Sequence, residues 1–195
     1  MSYLNIAAVV DQTNAEGPGL RTAIWVQGCL KRCRGCCNPA FLEIKPAKVL
    51  SSEDICQRIK SNHQHYGIEG ITLLGGEPFL QAVGLADIAK FTQELGLTVM
   101  IFTGYNMEEL SDEKFKGASK LTQFTDLLID GEYDHHQSET HRNWVGSTNQ
   151  NFHYISERYD ESIEIDSNAV TNEWRISSEN KIVVNGLPFI VRNIE

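Results

Sequence analysis

The sequence predicts an α/β fold: a partial, laterally open (β/α) barrel of mostly parallel strands with a small β-rich C-terminal segment. Three observations predict it. Short continuous apolar runs, GITLLGG (70–76), LTVMIFTG (97–104) and TDLLID (125–130), have the length and the lack of alternation of strands buried on both faces, as parallel strands are. Segments with helical periodicity lie between them, and that alternation implies right-handed βαβ units. The chain has 195 residues, whereas a complete eight-stranded barrel takes about 250, so the barrel is incomplete. The same length suits one domain spanning 1–195, with a core over about 1–155 and a C-terminal β segment over about 156–195.

Taken in order, YLNIAAVV (3–10) and LRTAIWVQ (20–27) read as strands joined by a polar, Gly/Pro-containing turn through Asp11 to Gly19. A cysteine-rich loop follows. SSEDICQRIKSNHQHY (51–66) reads as a helix, with Ser at the N-cap, acids in the first turn and Ile55 with Ile59 on an apolar face. After the strand at 70–76, FLQAVGLADIAKFTQEL (79–95) is a helix that stops at Gly96. The strand at 97–104 leads to a short helix, NMEELSDEKF (106–115), capped by Asn106, and then to the strand at 125–130. From about 131 a polar stretch runs to Gln150. Strands are expected at 151–155, 173–178 and 181–185, the last two as a hairpin around Glu179 and Asn180. Trp25, Phe91 and Phe124 fall in apolar runs and are expected in the core.

A net charge of -9 and a pI near 5.1 argue against a nucleic-acid partner, whose footprint would be basic. No stretch approaches the roughly 18 to 20 apolar residues that span a bilayer, and MSYLNIAAVVDQTN lacks the features of a signal peptide. The expectation is a cytoplasmic protein with no membrane partner. In a reducing cytoplasm a tight cysteine cluster reads as a metal site rather than a disulfide framework. Basic residues concentrate in one place, Lys31, Arg32 and Arg34 inside the cysteine loop. They either offset the charge of thiolates, a cluster or an anionic ligand, or are simply solvated.

The stretch GPGLRTAIWVQGCLKRCRGCCNP (17–39) holds four of the five cysteines, three of them spaced CxxxCxxC. Three thiolates in so short a loop suit an iron-sulfur cluster, or zinc with a fourth ligand. Structural zinc sites usually come as two separated pairs, and no second pair exists. Cys56, beside Ile55 and Ile59, reads as an ordinary buried cysteine, while nearby His63 and His65 keep the zinc reading open. Successive side chains rarely ligate one metal together, so Cys29, Cys33 and Cys36 are read as metal ligands and Cys37 as a wall residue. A cubane held by three cysteines leaves one iron open, and an open coordination position marks a reactive site.

CxxxCxxC after a strand, followed by LLGGEP closing the next apolar strand, resembles the radical S-adenosylmethionine superfamily. Its small activating enzymes of glycyl-radical enzymes are the closer likeness. The residues that carry it are EGPGLRTAIWVQGC (16–29), CRGCCNP (33–39), LLGGEP (73–78), FTGY (102–105), LLIDGEY (127–133) and WVGSTNQ (144–150). The resemblance implies a 4Fe-4S cluster whose open iron is chelated by the amino and carboxylate groups of S-adenosylmethionine. One electron, from a flavodoxin-like or other donor, then splits a carbon-sulfur bond to give methionine and a 5'-deoxyadenosyl radical. That radical would take hydrogen from a glycine of a partner glycyl-radical enzyme, above all an anaerobic ribonucleotide reductase.

The resemblance also implies roles for residues. Gly75 and Gly76 would let backbone approach the methionine end, and Glu77 would accept a hydrogen bond from the ligand's ammonium group. Gly35, Cys36 and Cys37 would border the cofactor. Thr103, Gly104 and Asp130 sit at strand C-terminal ends, where barrel sites are built, as ligand or cation contacts or as strand-end caps. Ser147, Asn149 and Gln150 match the pattern as loop polar residues. One departure stands out: Cys37 replaces the aromatic residue or His usual after the third cysteine, so the adenine contact differs. His135, His136 and His141 read as a second metal site or, more simply, a solvated loop. Two rival readings remain: the same radical chemistry on a small molecule or peptide, and a zinc-stabilised, non-catalytic binding module.

Overall fold

The computed structural model of the chain describes residues 2–111, 115–176 and 182–186. Its elements are β1 (Tyr3–Thr13), β2 (Arg21–Val26), β3 (Lys48–Ser51), α1 (Ser52–Tyr66), β4 (Gly70–Gly75), α2 (Ala82–Glu94), β5 (Thr98–Phe102), α3 (Met107–Leu110), α4 (Ala118–Gln123), β6 (Leu127–Asp130), β7 (Asn151–Tyr154), β8 (Asn172–Ile176) and β9 (Ile182–Gly186). Seven strands form one mixed sheet in the order β3-β1-β2-β4-β5-β6-β7. Its centre is parallel, β2 to β4 to β5 to β6, and antiparallel pairings flank it on both sides. Edge strands β3 and β7 leave the sheet open, so no closed barrel forms among the described residues.

Helices α1 and α2 cover one face. Alternate side chains of the central strands, Ile24 and Val26 on β2 and Ile71 and Leu73 on β4, meet Ile55 and Ile59 of α1 and Leu85 and Ile88 of α2 in the main core. The intervening residues, Ala23, Trp25 and Leu74, point to the other face and pack with Phe41 and Phe102. There a further cluster, Met100, Leu127, Ile129 and Val145, is built with Phe152 and Tyr154. Trp25 is buried as expected and Phe124 packs half-buried against the core. Phe91 is only half-buried and belongs to none of these clusters.

Helix ends are chemically specified. The Ser51 hydroxyl accepts from the Asp54 N–H at 3.0 Å, and Gly67 ends α1 at φ 69°. Asn106 and Glu109 form a reciprocal capping box at α3. The expected helix over 79–95 is instead a 3-10 turn, Pro78–Gln81, followed by α2. The expected extension of α3 over 112–114 and the hairpin turn around Glu179 and Asn180 lie outside the described residues. β8 and β9 do pair antiparallel, Trp174 opposite Val184.

Candidate iron-sulfur centre

The loop that carries the cysteines leaves β2 at the C-terminal end of the parallel centre, where β4 and β5 also end. Its root is tied to the β4 exit by backbone: Gly76 N–H donates to Val26 O at 2.8 Å and Glu77 N–H to Gly28 O at 2.9 Å. A Cβ on Gly76 would lie 2.3 Å from Gly28 O, and one on Gly75, at φ 110°, within 2.8 Å of the Trp25 and Val26 backbone. The first demand for glycine therefore comes from the end of β2 at Gly75 and from the root of the cysteine loop at Gly76.

Cys29 is buried, Cys33 and Cys36 are half-buried and Cys37 is exposed; all are free thiols. The four line a cavity of about 460 Å³, together with Gly35, Gly75, Gly76, Glu77, Thr103 and Gly104. The Cys36 N–H donates to Cys33 O at 3.2 Å, a turn that gathers two of the sulfurs. Burial pushes the Cys29 thiol up and, reinforced by the Glu132 carboxylate, the Cys33 thiol to about 11. Cys36 is drawn down to about 6 by a hydrogen bond from Cys37. Lys31 clamps the loop from inside, its Nζ 2.9 Å from Glu109 Oε1, 3.8 Å from Glu132 and 4.6 Å from the centre of the Tyr105 ring.

Glu77 is buried at the cavity wall. Oε1 accepts from Phe79 N–H (3.0 Å) and the Thr103 hydroxyl (2.8 Å), and Oε2 from Gly104 N–H (2.9 Å). Burial raises its carboxyl to about 7 against these three donors. Oε2 carries a single such bond, which leaves it acceptor capacity toward the cavity.

Other expected residues fall differently. Asp130 does not line the cavity: Oδ2 accepts from Met107 N–H at 2.9 Å, capping α3, and Oδ1 from Asn151 Nδ2 at 3.0 Å. Its short side chain is taken up by the helix end, the strand-end alternative. Gln150 reaches the cavity, but its Oε1 is held by Gly146 N–H; Ser147 and Asn149 instead brace the loop, the Ser147 hydroxyl accepting from Asp134 N–H. Asp134, His135 and His136 bring one ligand atom each within 4.8 Å of one another, and His141 stands apart. Cys56 is half-buried against the main core.

Sequence reasoning missed Glu16, Trp144 and the C-terminal wall. Glu16 is buried and lines the cavity; its Oε1 accepts from Gly186 N–H (2.7 Å) and Asn185 Nδ2 (3.1 Å). Burial lifts this carboxyl too to about 7. Val184, Asn185 and Gly186 of β9 thus close one side of the cavity. The one available signal was that Glu16 opens the EGPGLR block; its partners lie 169 and 170 residues away.

A donor set of three sulfurs around one cavity, beside a buried carboxylate and with no disulfide among them, fits a cubane cluster. The chain belongs to the 4Fe-4S single cluster domain family, which it matches over residues 15–153. Among curated proteins it is 28% identical over 146 residues to the anaerobic ribonucleoside-triphosphate reductase-activating protein of Escherichia coli K12, covering 72% of this chain and 92% of that one. The protein of the same name from Enterobacteria phage T4 is 28% identical over 143 residues, covering 69% and 87%. Among solved structures, QueE from Escherichia coli aligns over 52% of each chain at 21% identity, with a TM-score of 0.44. No helix among the described residues is long and apolar enough to cross a membrane.

Proposed function

We propose that this chain is a radical S-adenosylmethionine enzyme that activates a glycyl-radical partner, an anaerobic ribonucleoside-triphosphate reductase. The observation that carries the reading is the backbone weld between the cysteine loop and the Gly-Gly-Glu turn. It puts three sulfurs, Glu77 and the β5 exit around one cavity. The relatives named for this activity, matched over most of their length, support it. Cys29, Cys33 and Cys36 hold the cluster. Bound there, the cluster and S-adenosylmethionine supply reductive carbon-sulfur cleavage and a 5'-deoxyadenosyl radical.

The chain's own residues do the placing. Glu77 Oε2 takes the ligand's ammonium; Thr103 and Gly104 hold that carboxylate in position. Lys31 fixes the loop against Glu109, and Trp25, Leu74 and Phe102 keep the adjoining wall apolar and dry. Cys37 borders the ligand without stacking on it. We read the open, mostly parallel sheet as a partial barrel within a single cytoplasmic domain, with a flavodoxin-like protein supplying the electron. The experiment is anaerobic reconstitution with iron and sulfide, then electron paramagnetic resonance of the reduced protein with and without S-adenosylmethionine. A cubane signal that shifts on ligand addition, and a glycyl radical once the reductase is added, are expected; stoichiometric zinc and no cluster would sink the reading.

A second reading, the same chemistry on a small molecule or peptide, draws on the β9 wall, which narrows the open side of the cavity. Deoxyadenosine formed in turnover with such a substrate, with no reductase present, would favour it.

A further inference from the structure

We propose that the outer face of the cysteine loop, Leu30, Arg32 and Arg34, is the docking surface for an acidic one-electron donor protein. The inference rests on the reading above in one respect: it needs a cluster that must be reduced.

Along 29–34 the side chains alternate. Cys29, Lys31 and Cys33 line the cavity, while Leu30, Arg32 and Arg34 are exposed and line none of it. Lys31 is turned inward and consumed by Glu109. Arg32 and Arg34 make no ion pair or side-chain hydrogen bond among the described residues. Arg32 is held at φ 53°, a left-handed conformation uncommon outside glycine. Beside them Leu30 is 59% exposed, and Ile44, 62% exposed, lies against Gly28 at the loop root.

Charge makes the patch unusual in this molecule. The chain carries 26 acidic residues against 17 basic ones, yet none of the acids falls between Glu16 and Glu43. An acidic protein approaching this loop meets two guanidiniums that form no ion pair among the described residues, around a small apolar contact. That pairing of apolar centre and complementary charge suits fast, transient association. The position is also right for the chemistry. The loop separates its exposed face from the cavity, so a donor docked outside reaches the sulfurs without entering the space reserved for ligand and substrate.

The transfer is balanced. A flavin hydroquinone anion in the donor loses one electron and becomes the neutral semiquinone; the cluster gains that electron, passing from the 2+ to the 1+ state, and no proton crosses.

The test uses the reconstituted holoprotein, wild type and R32E/R34E, with flavodoxin hydroquinone as donor and photoreduced 5-deazariboflavin, an uncharged flavin, as control. Bleaching of the cluster's visible absorbance in stopped flow reports reduction, and calorimetry with oxidised flavodoxin reports binding. Charge reversal is expected to slow reduction by flavodoxin and to weaken its binding by about tenfold or more at low salt, and to flatten the fall in rate with ionic strength. Reduction by deazaflavin stays within about twofold. Unchanged flavodoxin rates and binding would overturn the docking surface and leave the activase reading intact. Equal slowing with both reductants would overturn it too, since the arginines would then be acting on the cluster. A wild-type cluster that no reductant can reduce would instead strike the activase reading itself.

Discussion

Two walls of the same cavity are built in opposite ways. The sheet wall, at the ends of β4 and β5, carries Glu77; the hairpin wall, β8 and β9, closes over Glu16. Each carboxylate is buried, each is pushed up to about 7, and each accepts from both backbone N–H and side-chain donors. Glu77 is gripped by neighbours that belong to the parallel centre, where core strands fix every position. Glu16 is gripped by Asn185 and Gly186 of a two-stranded hairpin whose other ties, Thr13 to Glu173 and Arg175 to Gln12 O, are also polar. Trp174, Ile176 and Ile182 of that hairpin are exposed. Two strands alone are marginal in water. The sheet wall is thus part of the fold, whereas the hairpin wall is an addition to it, lying beyond the family match that ends at 153.

The sharpest way to break that comparison is at the turn beneath both walls. Arg21 is fully buried and its guanidinium donates to hydroxyl and carbonyl oxygens: Thr72, Thr98, Tyr159, Pro18 O and Ile71 O. Arg21→Met leaves those acceptors without donors and is expected to cost about 4 kcal/mol, measured by urea unfolding of the metal-free protein. A cost below about 1 kcal/mol would mean the turn is held by something else.

Glycine substitutions separate the walls directly. Gly76→Ala drives a Cβ against Gly28 O at 2.3 Å, backbone against backbone. A loss of about 3 kcal/mol is expected, with the iron content of the reconstituted protein falling alongside. Gly186→Ala meets Thr171 O in an equally hard clash, Cβ to oxygen 2.2 Å at φ 107°. Yet only the hairpin should respond: global unfolding moves by less than about 1 kcal/mol while protease cleavage near the hairpin quickens. Equal losses from the two substitutions would refute the distinction.

How much of this was legible in the sequence follows the same division. The parallel strands, the caps at Ser51 and Asn106 and the cysteine spacing are local signals, each carried within a few residues. β3, four residues with two exposed, and α4, six residues opening on Gly117, are too short to announce themselves. The 131–150 stretch reads as polar, yet it buries Trp144, Val145 and Ser147 because the open sheet face needs covering. Asp130, read as a ligand or cation contact or as a strand-end cap, accepts from Met107 N–H at the start of α3, and which role it takes depends on where that N–H points. Glu16 could not be singled out, since what makes it special is a glycine 170 residues later.

Titration sharpens the comparison further. A carboxyl at about 7 in the folded chain against an ordinary value of 4.5 binds its proton more tightly when folded. Its stabilisation is therefore complete below 4.5 and is lost as the pH rises through 7, with a slope of at most about 1.4 kcal/mol per pH unit. Glu16→Gln preserves an oxygen for Asn185 and Gly186 but removes the proton. Urea midpoints of the metal-free variant should fall less steeply than wild type between those pH values, with the Glu77 share of the slope remaining. Identical slopes would mean that Glu16 is solvated in solution and the hairpin stands open.

The smallest effect isolates the hairpin's polar seam. The Thr13 hydroxyl donates to Glu173 Oε2 at 2.5 Å and accepts from Asn185 Nδ2 at 2.9 Å and from Ala15 N–H at 3.1 Å. Thr13→Val keeps the shape at the end of β1 and removes all three bonds, at a cost of about 1 kcal/mol or less to global stability, because the hairpin contributes little to the core. Amide hydrogen exchange is the decisive readout. Amides of β8 and β9 should exchange several-fold faster while those of β4 and β5 are unmoved. Protection lost in both places would mean that the two walls unfold as one cooperative unit, and that the hairpin is as much a part of the fold as the strands it covers.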